Sequence, residues 1–101
     1  MKKKTIKKHK LYDDCISLDR AFLDWLRERL PFYLKSAEKF IDFEHDHTYT
    51  YKDKQYKQNE LVRIMIKDLD VANAHLMDTE YLNAVDEILD IWKLVFHAMW
   101  W

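Results

Sequence analysis

The chain has no glycine, one proline and one cysteine in 101 residues. Without glycine there is no loop that lets backbone amides close on a phosphate, and any left-handed turn must be made by a residue carrying a Cβ. With Cys15 alone, no internal disulfide can form, so the expected compartment is the reducing cytoplasm. Long apolar runs are missing too. The most apolar window, 91–101, is too short to span a bilayer, and the N-terminal lysines are not followed by the apolar stretch of a signal peptide. We therefore expect a soluble protein with no membrane partner.

What is present favours a folded helical domain. Apolar residues make up 49% and aromatics 15% of the sequence, which excludes the disordered class in spite of the many charges. The length suits a single domain. Net charge is −1, but Lys2, Lys3, Lys4, Lys7, Lys8 and Lys10 crowd the start, and without those six lysines the body stands at about −7. So acidic a body is a poor general binder of nucleic acid, and any such contact must be local. The abundance of Lys, Asp, Ile and Tyr suits an AT-rich bacterial or phage genome or a mobile element, an association without a physical basis.

Residues 1–10 read as a basic flexible arm. Residues 11–30 have helical spacing, with Ser17 as N-cap and Leu18, Phe22, Trp25, Leu26 and Leu30 on one face. Pro31 cannot donate an amide and crowds the preceding turn, so we expect a second helix to begin there and run to about residue 43, burying Leu34, Ala37, Phe40 and Ile41. The period then falls from near four to two. Tyr49 and Tyr51 alternate with threonines, a polar turn follows at Lys52-Asp53-Lys54, and a hairpin over about 47–57 results. Asn59 caps a third helix to about residue 77, carrying Leu61, Val62, Met65, Ile66, Leu69 and Ala72. Asp78 or Thr79 caps the fourth, 79–101. The fold class expected is mainly α: a compact four-helix bundle-like single domain over 11–101 with one small β-hairpin insertion.

The fourth helix is the most informative. Tyr81, Val85, Ile88, Trp92, Val95 and Met99 form its central stripe, with Leu82, Leu89, Phe96, Ala84, Ile91 and Ala98 on the flanks. The remaining face is polar, Asn83, Asp86, Glu87, Asp90, Lys93 and His97, until Leu94, Trp100 and Trp101 intrude on it. Tryptophan and its aromatic relatives are enriched where interfaces concentrate their energy. We therefore read Leu94, Trp100 and Trp101 as partner-binding, with Lys93 and His97 as their polar rim; the competing reading folds Leu11, Tyr12, Cys15 and Ile16 over them.

Other chemistry is sparser. Cys15 lacks any local signature of a nucleophile, and no catalytic residue is assigned. His45 and His47, placed on a strand, would point to one side and could share a metal, although their spacing matches no recognised zinc motif. Glu87 and Asp90 stand one helical turn apart, the spacing by which helical nucleotide pyrophosphatases hold magnesium; Glu38 and Asp42 are the only acidic pair available to complete such a site, and we read all four as solvated. In the hairpin, Tyr49, Tyr51 and Tyr56 interleave with Lys52, Lys54 and Lys57, the pattern that stacks on unpaired bases beside phosphates. The competing reading has the tyrosines covering the bundle while the lysines protect an exposed strand edge.

The expected function is that of a small non-enzymatic helical protein-interaction module without a cofactor. It would be an accessory subunit or inhibitor docking through its apolar C-terminal helix on a larger protein, one that processes nucleic acid, or self-associating. The alternative is direct nucleic-acid binding, mainly single-stranded, through the lysine arm and the hairpin.

Overall fold

The computed structural model describes residues 15–46, 48–75 and 78–99. Within them lie three α-helices, α1 (Leu18–Phe40), α2 (Gln58–Ala74) and α3 (Thr79–Val95), with a two-stranded hairpin, β1 (Tyr49–Tyr51) and β2 (Lys54–Tyr56), between the first two. A single 3₁₀ turn, Phe96–Ala98, follows α3. The protein is mainly helical with a small antiparallel sheet, but a four-helix arrangement is not what forms: the two helices expected on either side of Pro31 are one.

The reason lies in the stripe that crosses the proline. Leu23, Leu26, Leu30, Leu34 and Ala37 are all buried on one face of α1, so the helical period runs unbroken through Pro31. Burying each leucine contributes about 1.5–3 kcal/mol. Keeping four of them on one continuous face offsets the roughly 3 kcal/mol that an interior proline costs. Pro31 itself is exposed.

Two ion pairs set the direction of α1 on α2. Arg27 Nε lies 3.0 Å from Asp70 Oδ1, and Arg63 Nη2 lies 2.6 Å from Glu38 Oε2. Early α1 thus meets late α2, and the helices are antiparallel. The short link after α2 returns α3 along it, started by Asp78, whose Oδ1 accepts the Tyr81 amide at 3.0 Å. At the start of α1, Ser17 occupies the N-cap position without a hydroxyl bond.

α2 begins two residues earlier than expected, after Lys57 rather than after an Asn59 cap. Glu60 Oε1 reaches back to the Lys57 amide at 2.8 Å, the half of a capping box that a lysine cap permits. This puts Gln58 inside the first turn, where it is buried. Its Nε2 donates to the Ala98 carbonyl at 2.9 Å, and its Oε1 accepts from the Tyr33 hydroxyl at 3.3 Å. One polar side chain therefore ties α1, α2 and the 3₁₀ turn together. The core around it comprises Leu61, Val62, Met65, Leu69 and Ala72 of α2 with Tyr81, Ala84, Ile88, Ile91 and Val95 of α3. No helix among the described residues is long and apolar enough to cross a membrane.

Candidate docking surface and the hairpin clamp

The hairpin turns on two residues, Lys52 and Asp53, with φ of 50° and 64°. Positive φ at both central positions is the type I′ pattern whose twist matches that of the strands, made here without glycine. Tyr49 pairs with Tyr56 and Tyr51 with Lys54. Tyr49 and Tyr56 are half-buried against the core, and Tyr51 is buried, 8% exposed. The aromatic faces proposed for base stacking are therefore turned toward the bundle. Of the hairpin lysines, Lys57 donates to the Asp46 carbonyl at 2.6 Å and Lys52 is committed to Glu87, while Lys54 is exposed.

Glu87 is the residue that the sequence places wrongly. Expected on a solvated face, it is half-buried, and its Oε2 accepts from the Tyr51 hydroxyl at 2.9 Å and from Lys52 Nζ at 3.2 Å. Asp68 of α2 stands beside it. Asp68 Oδ2 is buried and has no donor among the described residues, and its neighbour is the Glu87 carboxyl. Two neighbouring carboxylates, one with a buried oxygen, resist being ionised together, which favours a proton on the pair. Burial, and then the hydrogen bond to Glu87, push Asp68 up to about 7. Glu87 is held below the ordinary carboxylate range, chiefly by that hydrogen bond. Burial and the Glu87 carboxylate push the Tyr51 hydroxyl up to about 12, so it stays a donor. These four side chains clamp the hairpin to α2 and α3, and they wall an open cleft of about 510 Å³ that Glu80, Asp86 and Asp90 also line.

The metal candidates are not assembled. His45 lies in the turn after α1 rather than on a strand, and its Nδ1 is 2.6 Å from Asp42 Oδ2, a contact that holds the Asp42 carboxyl below its usual range. His47 lies outside the described residues. Glu38 is taken by Arg63 and Asp42 by His45, so neither joins Glu87 and Asp90. Among the described residues no group of three His, Cys, Asp or Glu is arranged to hold a metal ion. Cys15 is an exposed free thiol.

Among the described residues the apolar surface extends well beyond Leu94. On α3 the buried stripe is rotated: Ala84 and Ile91, given as one flank, are in the core, which leaves the other flank, Leu82, Leu89 and Phe96, exposed at 46–56%. These recur every seven residues and so form one line. On α1, Leu18 and Trp25, expected in the core, are exposed and make a second seven-residue line with Phe32, which is 74% exposed. Phe40 is exposed as well. Phe22 of α1 meets Trp92 of α3 edge to face, with ring centroids 6.2 Å apart, and Trp92 meets Phe96 at 5.2 Å. Trp25 stands one turn from Phe22 and Phe96 one turn from Trp92, so exposed apolar side chains of both helices lie beside the Phe22–Trp92 contact. Arg29 lies over the Trp25 ring at 4.7 Å, a cation at the edge of this surface.

Of the residues first read as partner-binding, Lys93 and His97 are exposed, and Leu94 is only 36% exposed and lies off the α3 line. Trp100, Trp101 and the six arm lysines lie outside the described residues. The signal for this surface is visible in the sequence as the repeats Leu82, Leu89, Phe96 and Leu18, Trp25, Phe32; it was absorbed into stripes too wide for three helices to cover. Comparison with protein-family models, curated proteins and solved structures finds no match for the chain.

Proposed function

We propose that the protein is a non-enzymatic helical interaction module that works by docking the α1–α3 face on another protein surface. The observation that carries this reading is the pair of exposed apolar lines beside the Phe22–Trp92 contact. Contiguous apolar patches on monomers rarely exceed a few hundred Å² unless they bind something. Aromatic anchors beside an arginine are the composition that interface centres favour. Docked in this way, the chain acts by covering a surface, as an accessory subunit or inhibitor of a larger protein or by self-association. Nucleic-acid contact through the arm and hairpin is the weaker reading, because Tyr51 is buried and Lys52 is held by Glu87.

Quantitative co-purification from the native host tests this, comparing the wild type with Trp25→Ser/Leu89→Ser and with Leu94→Ser. The double variant is expected to lose protein partners that both other proteins retain, with helical circular dichroism unchanged. A double variant that retains every partner overturns the assignment of this face.

A further inference from the structure

We propose that the surface meeting this face is the same face of a second copy of the chain, paired through α3 in antiparallel fashion about a two-fold axis at Leu89. The proposal rests on the docking reading above and names its partner.

A seven-residue repeat on a helix advances about 10.5 Å, so Leu82 and Phe96 lie at equal distances on either side of Leu89. A two-fold axis at Leu89 sets Leu89 on its own counterpart and Leu82 on Phe96 of the partner subunit. Such a contact is isologous and closes on itself, which is how most homodimers are built.

The charges beside the line fit this arrangement and not its alternative. Asp86 and Lys93 each follow a member of the line by four residues, so both lie on the same side of it, away from α1. Both are exposed, and neither takes part in an ion pair among the described residues. Asp86 stands three residues before the axis and Lys93 four after it. Antiparallel pairing therefore brings Asp86 alongside Lys93 of the partner subunit, to within one residue's rise, and the symmetry makes the contact twice. Parallel pairing would turn that side of α3 toward the core-facing side of the other helix, where neither finds a counter-charge.

The α3 line holds three large apolar side chains, Leu82, Leu89 and Phe96, each about half exposed. A standard interface takes about 800 Å² from each partner, so the pairing also draws on the charged rim and on the exposed apolar residues of α1 beside Phe22.

Light scattering coupled to size exclusion tests the pairing on the full chain, using wild type, Asp86→Lys, Lys93→Asp, the Asp86→Lys/Lys93→Asp double swap and Leu89→Ser. The wild type is expected at about 25 kDa, twice the 12.5 kDa of one chain. Each single swap opposes like charges and lowers dimer affinity by about tenfold or more, the double swap restores it, and Leu89→Ser is a monomer. All of these positions are exposed, so unchanged circular dichroism verifies the fold. A wild type that stays monomeric at every concentration, or a double swap no better than the single ones, overturns the proposal. If the wild type is monomeric while Trp25→Ser/Leu89→Ser still loses partners in co-purification, the docking reading stands and only the second copy falls. If Leu89→Ser remains dimeric, the self-pairing interface is elsewhere and the proposal is overturned, while the docking reading is decided by the co-purification.

Discussion

Replacing Asp68 by asparagine removes the one proton that the hairpin clamp can lose, and the consequence for stability against pH follows from the geometry. In the folded protein Asp68 Oδ2 is buried beside Glu87, and its pKa rises from 3.8 to about 7. Between those values the folded state holds a proton that the unfolded chain has released, so stability falls as pH rises through that window and the contribution is gone above it. Glu87 has the opposite sign: its carboxyl is held down, so its contribution is present above 4.5 and is lost only at lower pH. The window from about pH 5 to 8 therefore reports on Asp68. A shift of this size corresponds to about 4 kcal/mol at 1.36 kcal/mol per unit. The pair lines an open cleft, however, and solvent screening reduces the expected effect to roughly 1–2 kcal/mol. Asparagine keeps an N–H for Glu87 and does not titrate. Urea unfolding followed by circular dichroism at pH 5, 6, 7 and 8 gives the difference between wild type and Asp68→Asn, in which other titrating groups cancel. That difference should shift against the wild type by about 1–2 kcal/mol as pH rises. A difference that is flat with pH, or that moves in favour of the wild type, refutes the shared proton.

Three further substitutions test the fold. Pro31→Ala restores the amide missing from an exposed position inside α1 and should raise stability by about 1–3 kcal/mol in urea unfolding; a loss of stability would mean that the chain depends on a break there. Gln58→Leu keeps the volume of a buried side chain but removes its bonds to Tyr33 and Ala98, and should lower stability by about 1–3 kcal/mol; an unchanged denaturation midpoint would show that the tie carries nothing. Asp53→Gly relieves a left-handed residue in the turn and should stabilise by about 0.5–1 kcal/mol, whereas destabilisation in the same assay would argue against positive φ at that position.

Spacing alone is enough to place the bodies of α2 and α3, because Leu61, Val62, Met65, Leu69 and Ala72 recur at helical intervals and Asp78 marks the start of the next helix with a carboxylate cap. The hairpin is legible for a similar reason, since a period of two in Tyr49 and Tyr51 cannot belong to a helix. Three features resist such reading. Pro31 is a strong local signal for a helix start, and tertiary burial of Leu30 and Leu34 on one face overrides it. The wide apolar faces of α1 and α3 do not reveal which flank the core takes; that depends on where the neighbouring helix crosses, so Ala84 and Ile91 are buried while Leu82 and Leu89 are not. Glu87 looks like any surface carboxylate until the hairpin folds back and delivers Tyr51 and Lys52 to it across 36 and 35 positions of sequence.

The most direct measurement is a disulfide test of the Leu89 axis in the Cys15→Ser background. Leu89→Cys should form a covalent dimer on mild oxidation, because a two-fold axis at that residue brings the pair within the roughly 4.4–6.8 Å Cα separation that a disulfide requires. Asn73→Cys, at an exposed position on α2, should remain monomeric under the same conditions. Equal, slow cross-linking of the two variants would contradict the account.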